Sequence, residues 1–108
     1  MKLLVIVVQD DDVHALVTRL NQEKIGVTRL SSSGGFLKRG NTTVLVGVDE
    51  EKLPLVQQII KEKCESRTEM MPSIPVIAQG VIAASEPLEV KFGGAIYFQL
   101  DVEDFKKF

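Results

Sequence analysis

Residues 2–9 read Lys2-Leu3-Leu4-Val5-Ile6-Val7-Val8-Gln9, a β-branched run of strand length. Side chains alternate along a strand, so Leu3, Val5 and Val7 share one face and Leu4, Ile6 and Val8 the other. Both faces are apolar, and a strand of this kind must be covered on both sides. Working outward, Asp10-Asp11-Asp12 supplies a helix N-cap and favourable charge for a helix N-terminus. Val13, Leu16, Val17 and Leu20 then follow at i, i+3, i+4 and i+7, which predicts a helix over about Asp11 to Glu23.

Ile25 to Leu30 reads as a second strand, broken by Ser31-Ser32-Ser33-Gly34-Gly35, and Thr42 to Val48 as a third. Gly47 inside the third strand marks a bulge or a place where another group approaches the backbone closely. Asp49-Glu50-Glu51 repeats the acidic helix-start signal, and Leu53, Val56, Ile59, Ile60 and Cys64 form the apolar stripe of a second helix. Pro54 would remove an intrahelical donor from a helix begun at Asp49, so the regular helix is expected to start nearer Lys52. Residues 65–87 contain Pro72, Pro75, Gly80 and Pro87 without a sustained period and read as a long loop, with a short extended piece at Val76 to Ala78. Leu88 to Leu100 is a last strand interrupted by Gly93-Gly94, and Asp101 to Phe108 reads as a short helical turn whose Phe105 and Phe108 need a surface to cover.

The order βαββαβ predicts an α+β, ferredoxin-like sandwich: a four-stranded antiparallel sheet with both helices on one face. Two helices cover one face only. The doubly apolar first strand therefore implies that another chain or the 65–87 loop covers the other face, and an oligomer is the expected solution.

The chain has 108 residues, 44% hydrophobic and 26% charged, which suits one domain, residues 1–108, with one modest core. A net charge of -2 argues against binding a nucleic-acid polymer, whose phosphates call for a basic face. It leaves room for a pocket holding a small anionic nucleotide through a few cations and oriented backbone N–H groups. With 6% aromatic residues and no Trp, a base-stacking platform is also disfavoured. Cys64 is the single cysteine, so no internal disulfide forms, and Leu3 to Val8 falls far short of the ~18 residues of a membrane span. A soluble cytoplasmic protein is expected.

Ser31 to Thr43, SSSGGFLKRGNTT, concentrates backbone donors, small hydroxyls, an amide and one aromatic ring. Gly35 to Thr42 fits the spacing of a phosphate-binding loop, except that Asn41 stands at the lysine position and a strand, not a helix, follows; that reading fails. What remains is a glycine-rich connection of about residues 31–42 between two strands. It is either an ordinary hairpin or a binding loop in which Phe36 packs on a ligand or a neighbouring subunit. Catalysis has little support. His14 reads as a solvated helix residue, Cys64 as a small buried hydrophobe, and the acidic runs as helix starts. Met70-Met71 are as readily explained by loop packing as by adaptable contacts. No cluster has metal-ligand spacing, and no catalytic residue, metal or cofactor is assigned.

The stretches VVQDDD (7–12), VTRLSSSGGFLKRGNTTVLVGV (27–48) and VKFGGAIYFQL (90–100) resemble the cyclic di-AMP receptor family of PII-like signalling proteins. The similarity spans nearly the whole chain, and the GGFLxxGNTT block is its most specific part. The resemblance implies a PII-like subunit assembled as a homotrimer, with cyclic di-AMP held between neighbours. It also implies ligand-responsive loops after the second strand and after the second helix. Carried over position by position, it places ligand contacts at Val27, Thr28, Gly35, Phe36, Leu37, Asn41 and Gly47.

The sequence departs from the family pattern at Lys24 and Gly26, where an Asn and an Arg are usual. One cationic contact is missing, and Lys24 is the candidate to replace it. Ile74 to Gly80 is also more apolar than the usual long loop, which bears on which nucleotide is bound. The expected function is a non-enzymatic sensor with an unidentified protein partner. The alternatives are a PII-like sensor of another nucleotide, a small oligomeric ferredoxin-like enzyme using Lys24, Lys38, Arg39 or an interface carboxylate, and an interaction module with an empty cleft.

Overall fold

The alternating apolar pattern of residues 2–9 is satisfied by a central strand, β1 (Lys2–Gln9), bonded on both edges. The computed structural model describes residues 1–32, 40–71, 75–78, 81–84 and 88–108. After β1 come α1 (Asp10–Gln22), β2 (Val27–Ser32) and β3 (Asn41–Val48). A 3-10 turn (Glu50–Lys52) leads into α2 (Leu53–Cys64). Then follow β4 (Arg67–Met71), β5 (Pro75–Ala78), β6 (Val81–Ala84), β7 (Leu88–Phe92) and β8 (Ala95–Asp101). The main sheet has the order β2-β3-β1-β8, all antiparallel, as expected for a ferredoxin-like α+β fold.

Registers Ile6↔Val44, Leu4↔Val46 and Ile6↔Tyr97 set Leu4, Ile6, Val8, Val44 and Val46 on the helix side, all fully buried. Leu16 and Leu20 from α1 and Val56, Ile59 and Cys64 from α2 complete this core. The opposite face carries Leu3, Val5, Leu30, Leu45, Ile96, Phe98 and Leu100. Leu30, Phe98 and Leu100 on it remain 44–47% exposed, so the described residues leave part of this face open. The expectation of a neighbouring chain rests on this face, which is apolar and in part open to solvent in the single chain.

Several details differ from the sequence reading. Residues 65–87 are not a structureless loop. They contribute β4, β5 and β6, and β4 pairs with β7 (Arg67↔Phe92 to Met71↔Leu88) while β5 pairs with β6 (Pro75↔Ala84 to Ala78↔Val81). Each pair is a two-stranded antiparallel ribbon, and the Cα radius of gyration is 18.7 Å, against about 13 Å for a compact chain of this length. Gly93-Gly94 divides the expected last strand into β7 and β8, with φ +77° and +96° that favour glycine.

The C-terminal tail forms no helical turn; its Phe105 lines the groove described below but stays 66% exposed, and Phe108 is fully exposed, so neither ring is covered within the chain. Gln9, not an Asp, occupies the N-cap of α1, without a side-chain cap bond. Asp10, Asp11 and Asp12 lie in the first turn, where their charge still opposes the positive helix end. Pro54 sits in the first turn of α2, where no intrahelical N–H partner is needed, which explains the late start. Gly47 makes no bulge, because the β1–β3 register runs unbroken from Lys2↔Val48 to Gln9↔Asn41.

Candidate functional site

Antiparallel pairing separates the candidate residues into two groups. At one end of the sheet, Asn41 pairs with Gln9 and is buried, just after Gly40 re-enters the fold. The Asp10 N–H donates to the Gly40 carbonyl at 3.0 Å, and the Thr42 hydroxyl donates to Asp10 Oδ1 at 2.6 Å. A Cβ at Gly40 would lie 2.6 Å from Asp10 Oδ2, so the backbone passes close to this carboxylate. Six residues further along β3, about 20 Å at strand spacing, Gly47 pairs with Leu3. Gly35, Phe36 and Leu37 lie outside the described residues.

Around Gly47 the open face is hollowed into a groove of about 440 Å³, a size suited to a small organic ligand. Leu3, Leu45 and Met1 give it an apolar wall, Thr28 a hydroxyl, and Phe105 of the tail an aromatic edge. A smaller cleft beside it shares Gly26 and Gly47 and is lined by Lys24, Lys52 and Asp49. A Cβ added at Gly26 or Gly47 would meet nothing within 4 Å. Packing within this chain therefore does not require either glycine, although glycine in a strand costs about 0.5–1 kcal/mol relative to alanine.

Thr28, Gly47 and Lys24 thus meet at one site, to which sequence reasoning had not assigned Gly26, Lys52 or Phe105. Thr28 and Gly47 were expected only from the family resemblance; the registers Thr28↔Leu45 and Leu3↔Gly47 put them on the same face of the sheet. Val27 packs its side chain against the helix-side core, leaving only its backbone for a ligand. Lys24 holds φ +61° at the end of α1, where its N–H donates to the Asn21 carbonyl at 2.9 Å and the Ile25 N–H to Leu20 at 3.0 Å. This left-handed helix ending usually falls to glycine.

His14 is exposed on α1. Burial, with the Asp12 carboxylate adding to it and Arg67 opposing, pushes the Cys64 thiol up to about 12, which removes it as a nucleophile at neutral pH. Among the described residues no group of three His, Cys, Asp or Glu side chains could hold a metal ion, and no helix is long and apolar enough to cross a membrane.

A family profile described as cyclic-di-AMP receptor matches the chain over residues 1–108. The chain belongs to the cyclic-di-AMP receptor family. The crystal structure of a functionally unknown protein from Pediococcus pentosaceus ATCC 25745 is similar at 36% identity, covering 99% of this chain and 96% of that one, with a TM-score of 0.79. The groove and the cleft beside it offer apolar walls, an aromatic edge, a hydroxyl and two lysines.

Proposed function

We propose that this receptor is a non-enzymatic sensor. As a homotrimer it holds cyclic di-AMP between neighbouring subunits, and it relays occupancy to a protein partner through rearrangement of the glycine-rich segment and of residues 65–87. The observation that carries the reading is the division of the candidate contacts. Asn41 and Gly47 sit at opposite ends of one strand, too far apart for a compact dinucleotide to touch both within one subunit. A site assembled from the Asn41 end of one subunit and the Gly47 end of the next uses both, and it accounts for the two glycines left bare in the groove. The apolar open sheet face supplies the surface for assembly, since closing it removes Leu30, Phe98 and Leu100 from water.

In this site Thr28 and Asn41 hydrogen-bond base edge or phosphate. Phe36 and Leu37 flank an adenine, and backbone N–H groups near Gly35 approach a phosphate. Gly47 leaves space for the ring, and Lys24, with Lys52 in the same cleft, supplies the cationic contact. Titration calorimetry with cyclic di-AMP tests the reading, alongside sedimentation equilibrium for the trimer. Asn41→Ala is expected to weaken binding about tenfold or more, the loss of one charge-assisted or well-placed hydrogen bond. Unchanged affinity removes Asn41 from the site. No binding of any cyclic dinucleotide by the wild-type chain overturns the function.

A further inference from the structure

The first turn of α1 touches both halves of the proposed response. Asp10 holds the end of the glycine-rich segment: its N–H donates to the Gly40 carbonyl, and its carboxylate accepts from the Thr42 hydroxyl, the two residues that flank Asn41. Two residues on, Asp12 holds the root of the β4–β7 ribbon. Arg67 Nη2 donates to Asp12 Oδ1 at 2.9 Å and Nη1 to Oδ2 at 3.5 Å, a two-pronged pair, while Nη1 also donates to the Glu65 carbonyl at 3.2 Å. Asp12 is only 5% exposed, so its charge is held out of water by this pairing.

Gln9, which precedes the turn and pairs with Asn41, accepts from the Gly93 N–H at 2.6 Å through Oε1. The Gly94 N–H donates to the Cys64 carbonyl at 2.5 Å. The fit at the ribbon root is close. A Cβ at Gly93 would lie 2.5 Å from Arg67 Nη1 and 2.6 Å from the Glu65 carbonyl oxygen.

We propose that Gln9, Asp10 and Asp12 form a coupling turn that links ligand occupancy at Asn41 to the setting of the β4–β7 ribbon. This inference rests on the proposed ligand site and deepens it by naming its regulatory path. A helical turn is stiff, so residues two apart along it move together. A shift of residues 40–42 on ligand contact displaces Asp10 and, with it, the carboxylate of Asp12 that aims Arg67. A buried ion pair is a weak source of net stability but a strong determinant of one arrangement over another. Coupling of this kind requires the ligand to favour one ribbon setting, and it is reciprocal. Asp12 and Arg67 are positioning residues that touch no ligand.

The test is hydrogen–deuterium exchange over 65–71 and 88–94, with and without saturating cyclic di-AMP, alongside calorimetry on the same samples. In the wild-type chain the ligand is expected to change exchange at the ribbon root by fivefold or more, the lower end of usual coupling. Asp12→Asn and Arg67→Gln are expected to bind the ligand yet lose that response, while Arg67→Lys, which keeps charge but not the fork, restores part of it. Circular dichroism identifies a variant that fails to fold; in that case Asp10→Ala, which removes the acceptor for the Thr42 hydroxyl and keeps the Arg67 pair, carries the same expectation. A response that survives in the variants, or a wild-type chain that binds without any response at the root, overturns this inference alone. A wild-type chain that does not bind overturns the proposed function and this inference with it.

Discussion

In the body of the molecule, β1 is bonded on both edges and roofed by two helices, whereas β4–β7 and β5–β6 are two-stranded. The body draws its order from burial. Ten of its side chains, Leu4, Ile6 and Leu16 among them, are fully or almost fully removed from water, and such burial contributes about 1.5–3 kcal/mol per large apolar residue. An isolated two-stranded ribbon is marginal in water. Among the described residues, polar pins hold the root of the β4–β7 ribbon: Arg67 on Asp12, the Gly93 N–H on Gln9 and the Gly94 N–H on Cys64. One chain therefore combines a body that resists change with an appendage whose setting a small number of hydrogen bonds decides.

Leu16→Ala strikes the body. It is expected to cost about 2–5 kcal/mol in denaturant unfolding, because Leu16 is fully buried and the cavity relaxes only in part. A cost below 1 kcal/mol would place the core elsewhere. Gly93→Ala strikes the root of the ribbon, combining a positive φ with a contact to the Glu65 carbonyl that no Cβ tolerates. It is expected to cost about 1–3 kcal/mol, with exchange rising in 88–92 before it rises in β1. Equal rises in both would erase the distinction between the regions.

Gly47→Ala is the control for that glycine, since its Cβ would stand in open space. Its thermal midpoint should stay level or rise by the equivalent of up to about 1 kcal/mol, while cyclic di-AMP binding weakens. Intact affinity would show that the groove floor is not used.

The smallest effect lies in surface charge. A hydrogen bond from Lys2 holds the Asp101 carboxyl below its ordinary 3.8, and Asp101, with Glu50 adding to it, raises Lys2 above 10.5. A lowered carboxyl stabilises the fold above its unfolded value, and that contribution is lost as pH falls through the lowered value. A raised amine stabilises below its unfolded value and loses the contribution as pH climbs through the raised one. Asp101→Asn should flatten both limbs of the stability profile, below about pH 4 and above about pH 10. Because the pair is solvent-exposed, the change should be slight and should shrink further in salt.

How far the sequence could be read follows the same division. Leu4, Ile6 and Val8 alternate with Leu3, Val5 and Val7, so burial writes β1 and its need for a second cover directly into the text. Helix α2 starts late because Pro54 has no amide proton, and that too was legible. The ribbons were not legible. Their partners lie far apart in the chain, as in Arg67↔Phe92, and Pro72, Pro75 and Pro87 interrupt any period that could have announced them. At the site, Thr28 and Gly47 were named only through the family resemblance, and the meeting of Phe105 and Lys52 with them depends on how distant elements fold back. Asp10 to Asp12 read as a helix start. Their charge does serve that end, while the pairing of Asp12 with a residue 55 positions away leaves no local trace.

The central place of β1 also governs the order in which the molecule can be completed. Its partner β3 is in hand by residue 48, so half of the sheet can assemble early, but its other edge waits for β8 and the Lys2↔Asp101 pair. The Lys2–Asp101 bond alone joins residues 99 apart. So distant a pairing demands a large loop closure and slows folding. A chain emerging from the ribosome thus carries an open β1 edge until β8 has been made. That interval is when mispairing with another nascent chain is most costly.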